Sequence, residues 1–495
     1  MTLRSRFLVI ESSGRFVEIK LRIIYRMTLD AKFDRIARST LLLSLMLLYA
    51  TLAVTSFVHL DLARDMRTAA DIVDGIRFPL LGPILAGHVH LGSGWYYLLA
   101  LLQTLGQGWV GTVLLLALLS SLQFPLAYLA GKAWLNRSAG VYWALLMMIP
   151  SWSMFEQIYP GHPQLLGVCV AAMLLCALRY YRNGRHRYFL GTALAFSLAL
   201  HAHPSALVML TVVAAVLVLA WRRHHLTHVR LIQFVSVACI PFAPLIVDQL
   251  LNGFSLLQGI GGYVNSDNFS RTSYSNYLPL LWQLSGGGLR YWLAGIIGIP
   301  ETLSWVVAIG VAALMALGIA GVLTLAATND RIARFAMFML PMGVLILIYM
   351  RGGFPYYMIT ALRIALLGCV AVGLANLAAA MRWRDGLSWL LGVSCIAGYL
   401  YVASAIFRIE REGAWPLAFQ PIFNTTADWH EHHPRAIMPA GAMKKSGQWL
   451  CSAGAIAVHG AYAIHLIHGY SRMCVPSAAR AIWCWAAPTR YASIG

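Results

Sequence analysis

HLDLARDMRTAADIVDGIRFPLLGPILAGHVHLGSGWYY, residues 59–97, is a polar island in a chain that is otherwise mostly apolar. Directly before it runs LLLSLMLLYATLAVTSFV, residues 41–58, an unbroken apolar segment close to the roughly 20 residues that cross a bilayer as a helix. The island opens with Asp61 and Asp65. On a helix, positions four apart share a face, so Asp61, Asp65 and, one turn on, Thr68 are expected to look the same way. A carboxylate pair at the mouth of a membrane helix is a candidate for chemistry. The competing reading is a solvated Asp61–Arg64 pair at i,i+3 spacing.

Outward from the island, 59% of the 495 residues are hydrophobic and 11% charged, which excludes a string of soluble domains and points to a polytopic all-α membrane protein. The net charge of +19 does not mark a nucleic-acid binder, because the basic residues are scattered between apolar runs and form no stripe. Five of the eight cysteines, Cys169, Cys176, Cys239, Cys369 and Cys395, sit inside apolar runs, where a thiol acts as a small hydrophobe; no disulfide or metal framework follows.

Apolar runs recur at 41–58, 109–131, 138–155, 163–179, 188–202, 204–221, 231–249, 303–327, 335–350, 356–381 and 387–407, predicting about eleven spans. Trp95–Leu105 and Tyr291–Ile299 are too short to cross alone and are expected to be re-entrant or interfacial. With the amino terminus inside, the inner connections carry 13 Lys and Arg in 34 residues. The outer ones, about three times longer in total, hold only Arg64, Arg67, Arg77, Arg271, Arg290 and Arg351. The positive-inside rule is therefore met at every turn. On this topology Asp61, Asp65, His88, His90, Glu156, His162, His201, His203 and Asp248 all fall at outer ends of spans.

Three segments are expected. Residues 1–40 are a basic cytoplasmic leader, with Met27 as an alternative start. Residues 41–408 are the multi-span domain, with large outer loops at 59–94, carrying amphipathic helices, and at 250–302. Residues 409–495 form an outer tail of different composition, in which Trp449–Tyr470 is a weak twelfth span. The last fifty residues have the composition of an out-of-frame translation, and His430, His432 and His433 read as solvated tail before metal site.

The stretches DLARDMRTAADIVDGIRFPLLGP and HLGSGWYYLLALLQTLG resemble the first periplasmic loop of the GT-C superfamily of integral-membrane glycosyltransferases. The branch most like them contains protein O-mannosyltransferases and bacterial aminoarabinose transferases. YPGHPQLLGV and LALHAHPSALVML are similar to the His-Pro elements at later outer helix ends in bacterial members. The resemblance covers roughly residues 41–380. It implies transfer of a sugar from a polyprenyl-phosphate donor to a lipid, glycan or protein acceptor at the periplasmic face of the bacterial inner membrane. It also implies an essential carboxylate just after the first membrane helix, where Asp61 stands. The family often has two adjacent acidic residues there, whereas this chain has Asp61 then Leu62, so Asp65 is the second carboxylate candidate.

The chemistry agrees. A lipid-phosphate sugar must react near the interface, a carboxylate must take or orient the acceptor proton, and the leaving phosphate needs cations. Asp61 is the candidate base, with Asp65 in support. Arg64, Arg271 and Arg351 are the candidate phosphate ligands, the competing role for each being an interfacial anchor or carboxylate partner. His90, Tyr96, His162 and His203 are candidate substrate contacts. The pairs His88/His90 and His201/His203 suit metal ligation only on extended backbone, and a divalent ion on Asp61 is compatible with the chemistry. The Gly-, Ser-, Asn- and Tyr-rich segment Asn252–Pro300 reads as an ordinary loop or as a lid. The rival function is a transporter or flippase of an amphipathic lipid, for which Arg363, inside a span, is the main argument.

Overall fold

The computed structural model describes residues 60–85, 89–107, 109–149, 161–256, 300–328, 356–381 and 384–412, with a few isolated positions besides. Among these, helix α1 (Leu60–Val73) leads into an antiparallel hairpin, β1 (Leu81–Leu85) and β2 (Val89–Gly92). Then follow α2 (Gly94–Gly106), α3 (Trp109–Ser121), α4 (Gln123–Trp134), α5 (Arg137–Met148), α6 (Leu166–Asn183) and α7 (His186–Ala202). The remainder are α8 (Leu210–Arg222), α9 (His228–Cys239), α10 (Ala243–Leu251), α11 (Glu301–Ala327), α12 (Tyr356–Ala380) and α13 (Arg384–Glu412). Short 3₁₀ turns, His162–Leu165, Pro204–Met209 and Ile240–Phe242, lead into α6, α8 and α10. Each has a proline in its first two positions, where a missing N–H breaks no helical bond.

Six stretches of the described residues are long and apolar enough to cross a membrane: Gly111–Trp134, His162–Asn183, Pro204–Arg222, His228–Leu251, Glu301–Ala327 and Thr360–Ala380. The expected spans 41–58 and 335–350, and the tail beyond Glu412, lie outside the described residues. The other expected spans have helical counterparts, some of them shorter: α5, α7, and an apolar stretch Gly386–Tyr401 within α13. Periodicity alone also missed local breaks. The expected span 109–131 is two helices meeting at Leu122, the span 231–249 is interrupted at Pro241, and the first outer loop contains the hairpin as well as the amphipathic α1.

The core is built on α5, where every residue from Ala139 to Met148 is buried. A helix apolar all round needs neighbours all round, and α4, α12 and α13 supply them. Trp143 Nε1 donates to the carbonyl of Ile364 at 3.1 Å, and Cys395 Sγ donates to that of Leu145 at 3.3 Å. Between α11 and α12 the backbones meet at glycines: a Cβ at Gly373 would overlap the carbonyl of Gly318. Small residues at such crossings are how membrane helices gain close packing without a hydrophobic driving force between them. The outward faces of α9, α10 and α11 expose Ile232, Val235, Leu250, Leu251, Val306 and Ile309, an apolar surface suited to lipid.

The helix ends gather at two poles. At one, Arg223 of the α8–α9 connection donates to the carbonyls of Tyr180, at 3.1 Å, and Tyr181, at 2.5 Å, at the end of α6. There His186, which opens α7, also bonds Gln233 of α9 at 2.9 Å. At the other, His162 at the start of the α6 span bonds the carbonyl of Ala202 at the end of α7, and α10 packs on the hairpin. The first is the arginine pole and the second the carboxylate pole.

Candidate functional site

Helix α1 carries the stripe Leu62, Met66, Ala69 and Ile72, which packs on Trp95, Leu99 and Leu102 of α2. Gln103 of α2 ties the two helices by donating to the carbonyl of Met66 at 2.8 Å. Asp65 lies on that inward stripe and is 2% exposed. Asp61, one turn earlier at the open end of α1, has its side chain 71% exposed. The two carboxylates expected to act alike therefore stand in opposite environments. Thr68, expected on the same face, donates to its own helix, to the carbonyl of Arg64 at 3.2 Å.

Arg64 joins the carboxylates. Its guanidinium reaches Asp61 Oδ1 at 3.1 Å and Asp65 Oδ1 at 2.8 Å, and its Nε donates to the same Asp65 oxygen at 2.9 Å. The other Asp65 oxygen accepts from Trp95 Nε1 at 2.8 Å. Burial raises the Asp65 carboxyl above its ordinary value, partly offset by the charge and hydrogen bond of Arg64 and by the Trp95 donor. Burial also opposes charge on Arg64, yet Asp65, by charge and hydrogen bond, and Asp61 hold it above its usual value. Tyr96, buried beside this pair, is pushed up to about 12 by desolvation and then by the Asp65 charge, against Arg64.

The chain of contacts continues from Trp95. Its ring meets His162 edge-on at 6.2 Å, and His162 stacks on His203 at 5.9 Å with the planes 7° apart. The Nδ1 of His162, facing the Ala202 carbonyl, must carry the proton, which leaves Nε2 as the lone-pair nitrogen. His203 has the opposite tautomer: its Nδ1 accepts from the Ser205 N–H at 3.1 Å and faces the Ser205 hydroxyl at 2.9 Å. Complete burial, with His162 beside it, lowers the His203 pKa well below its ordinary value. Thus Asp61, Arg64, Asp65, Tyr96, His162 and His203 come together at one pole. Trp95 links the carboxylates to the histidines, and in the sequence it stands only as the first residue of a short run expected to be re-entrant or interfacial.

The remaining candidates divide. His90, on β2, gives its Nδ1 to the Gly82 carbonyl at 3.0 Å, so the structure uses it to hold the hairpin. Asp248 is buried and accepts from Gln249 at 2.9 Å and Asn252 at 2.8 Å. His88, Glu156, Arg271 and Arg351, and most of the Asn252–Pro300 segment, lie outside the described residues. The two members of the pair at 201 and 203 stand on different backbone, His201 in the last turn of α7 and His203 extended, so the spacing does not make them joint ligands. Among the described residues no three His, Cys, Asp or Glu converge as a metal site. His201 instead lies under the hairpin, where a Cβ at Gly92 would overlap its ring. Both its ring nitrogens, both amide atoms of Gln164 and the hydroxyl of Ser93 are buried with no partner among the described residues.

No family profile matches the chain, and no curated protein sequence matches it. Solved structures do. ArnT from Cupriavidus metallidurans bound to undecaprenyl phosphate superposes with a TM-score of 0.52 at 16% identity, over 83% of this chain and 82% of that one. Its apo state gives 0.52 at 14%, over 77% and 78%. AglB, the archaeal oligosaccharyltransferase from Archaeoglobus fulgidus, in complex with an inhibitory peptide and a dolichol-phosphate, gives 0.41 at 14%, over 76% and 56%.

The chain is a polytopic helical membrane protein whose fold is shared with solved membrane proteins. Within that class it is similar to ArnT across most of both chains.

Proposed function

We propose that the protein is a glycosyltransferase that moves a sugar from a polyprenyl-phosphate donor to an acceptor hydroxyl or amine at the periplasmic face of a bacterial inner membrane. The supporting observation is the contact chain Asp61–Arg64–Asp65–Trp95–His162–His203 at one pole of a fold shared with an ArnT that binds undecaprenyl phosphate. Asp61 is the general base, being exposed where Asp65 has both oxygens engaged. It takes the acceptor proton as the acceptor atom bonds to the anomeric carbon. The bond from that carbon to the phosphate oxygen breaks, and the lipid phosphate leaves with the electron pair. Asp65 holds Arg64, which in turn orients Asp61.

The charge of Arg64 is already shared between two carboxylates, so neutralising the leaving phosphate falls chiefly to Arg271 and Arg351. Tyr96 and His162 line the substrate side, with Ser93, Gln164 and His201 offering hydrogen-bonding atoms that have no partner among the described residues and suit sugar hydroxyls. His203 positions His162 by stacking, and His90 supports the site through the hairpin. A divalent ion is not required by this scheme.

The test is transfer in reconstituted membranes supplied with labelled polyprenyl-phosphate sugars, comparing the native chain with Asp61→Asn. Label moved by the native chain and not by the variant supports the reading, and equal transfer by both removes Asp61 from it. Arg363, within α12, favours a second reading, translocation of an amphipathic lipid. Movement of lipid between leaflets without transfer of any sugar would decide for that one.

A further inference from the structure

The arginine pole has an architecture of its own. From residue 166 to 247 the sequence has no Asp or Glu, yet it holds Arg179, Arg182, Arg185, Arg187, Arg222, Arg223 and Arg230. Two of these are committed to backbone: Arg223 to the last carbonyls of α6, and Arg230 to the carbonyl of His225 at 3.0 Å. Such bonds complete a helix end and complement its dipole. Arg179 and Arg187 differ. They come from two helices, α6 and α7, and both donate to one phenol oxygen, that of Tyr188, at 3.2 and 3.1 Å. Both guanidiniums also lie over the Tyr188 ring, at 5.5 and 4.8 Å from its centroid. Two like charges converging on one neutral oxygen, with neither paired to a carboxylate among the described residues, repel each other. The cation–π contacts repay only part of that at a half-exposed site.

We propose that Arg179, Arg187 and Tyr188 form a seat for the phosphodiester of an anionic phospholipid headgroup. Charge complementarity supports it, because each guanidinium has given one N–H to the phenol and keeps others in a fork that matches phosphate oxygens. The Tyr188 oxygen accepts from both arginines, so its own proton is available to donate to a third oxygen. Depth supports it as well: Arg179 lies four residues before the end of the His162–Asn183 span, at the level where lipid phosphates lie beside a membrane helix. By the positive-inside rule this is the cytoplasmic leaflet. The assignment is independent of the transfer reaction at the other pole.

The experiment uses the purified full chain in mild detergent with phosphatidylglycerol, phosphatidylcholine or inorganic phosphate added, and reads retained lipid by native mass spectrometry. The native chain should retain phosphatidylglycerol in preference to phosphatidylcholine. Arg179→Gln with Arg187→Gln should cut phosphatidylglycerol retention by about thirtyfold, each arginine at the headgroup level contributing about fivefold. If that variant does not elute as a folded species, Arg179→Lys with Arg187→Lys decides. It keeps the charge and loses the forks, and should lower retention by a few-fold. Equal retention of the two lipids, retention unchanged in the folded variants, or full displacement by millimolar inorganic phosphate would each overturn the headgroup seat.

Discussion

Arginine at the carboxylate pole and arginine at the arginine pole are solvated in opposite ways. Arg64 is held between Asp61 and Asp65, and its pairing is deep enough on the Asp65 side that burial still opposes charge on that carboxylate. At the other pole no carboxylate is available in the sequence from 166 to 247, and guanidiniums turn to helix-end carbonyls and a phenol. The first arrangement stores fixed, opposed charges around an exposed oxygen, which suits proton transfer. The second presents positive charge at helix ends that no carboxylate among the described residues neutralises, which suits anionic lipid. One residue type thus serves two ends through the partners it finds at each, carboxylates at one and helix-end carbonyls and a phenol at the other.

The sharpest way to break this contrast is Asp61→Asn, which keeps shape and removes the exposed charge. Transfer should fall roughly a hundred- to ten-thousandfold, the range for loss of a general base, with expression and elution unchanged. Next is Asp65→Ala. It leaves the Trp95 N–H and part of the Arg64 charge unpaired in the α1–α2 packing, and should cost about 3 kcal/mol, read as a lowered Tm in detergent. A smaller effect is expected away from the carboxylates, where the Asn136 side chain accepts from the Ala139 N–H at 3.0 Å and caps α5. Asn136→Ala should cost about 1 kcal/mol and leave transfer intact.

The subtlest test is of pH. Burial raises the folded pKa of Asp65 above its ordinary 3.8. The folded chain therefore holds that proton more tightly than the unfolded one. The group's contribution to stability is full below the unfolded value and is lost as pH rises through the higher folded value. Asp65→Asn should flatten that decline in Tm as pH rises from about 4 toward neutrality. A decline equally steep in the Asp65→Asn variant would place its source elsewhere.

Much was legible along the chain. Runs of apolar residues at bilayer length, with Arg and Lys concentrated in alternate connections, come from the solvation of single residues, so they carry the class of fold without any knowledge of contacts. The clustering of candidates at one pole follows from the same alternation. Span-by-span anatomy was less legible. Breaks at Leu122 and Pro241 leave hydropathy unchanged while altering backbone geometry, and the hairpin pairs Leu81 with Gly92 across a turn that periodicity does not register.

The division of labour within the site needed tertiary contacts. Helical spacing puts Asp61 and Asp65 on one face and treats them as equals; only the packing of α1 on α2 buries one and exposes the other. Trp95 reaches Asp65 across 30 residues, and His162 reaches Ala202 across 40. Such partners are decided by how helices cross, which depends on the shapes of both surfaces together, while solvation preferences are properties of each residue alone.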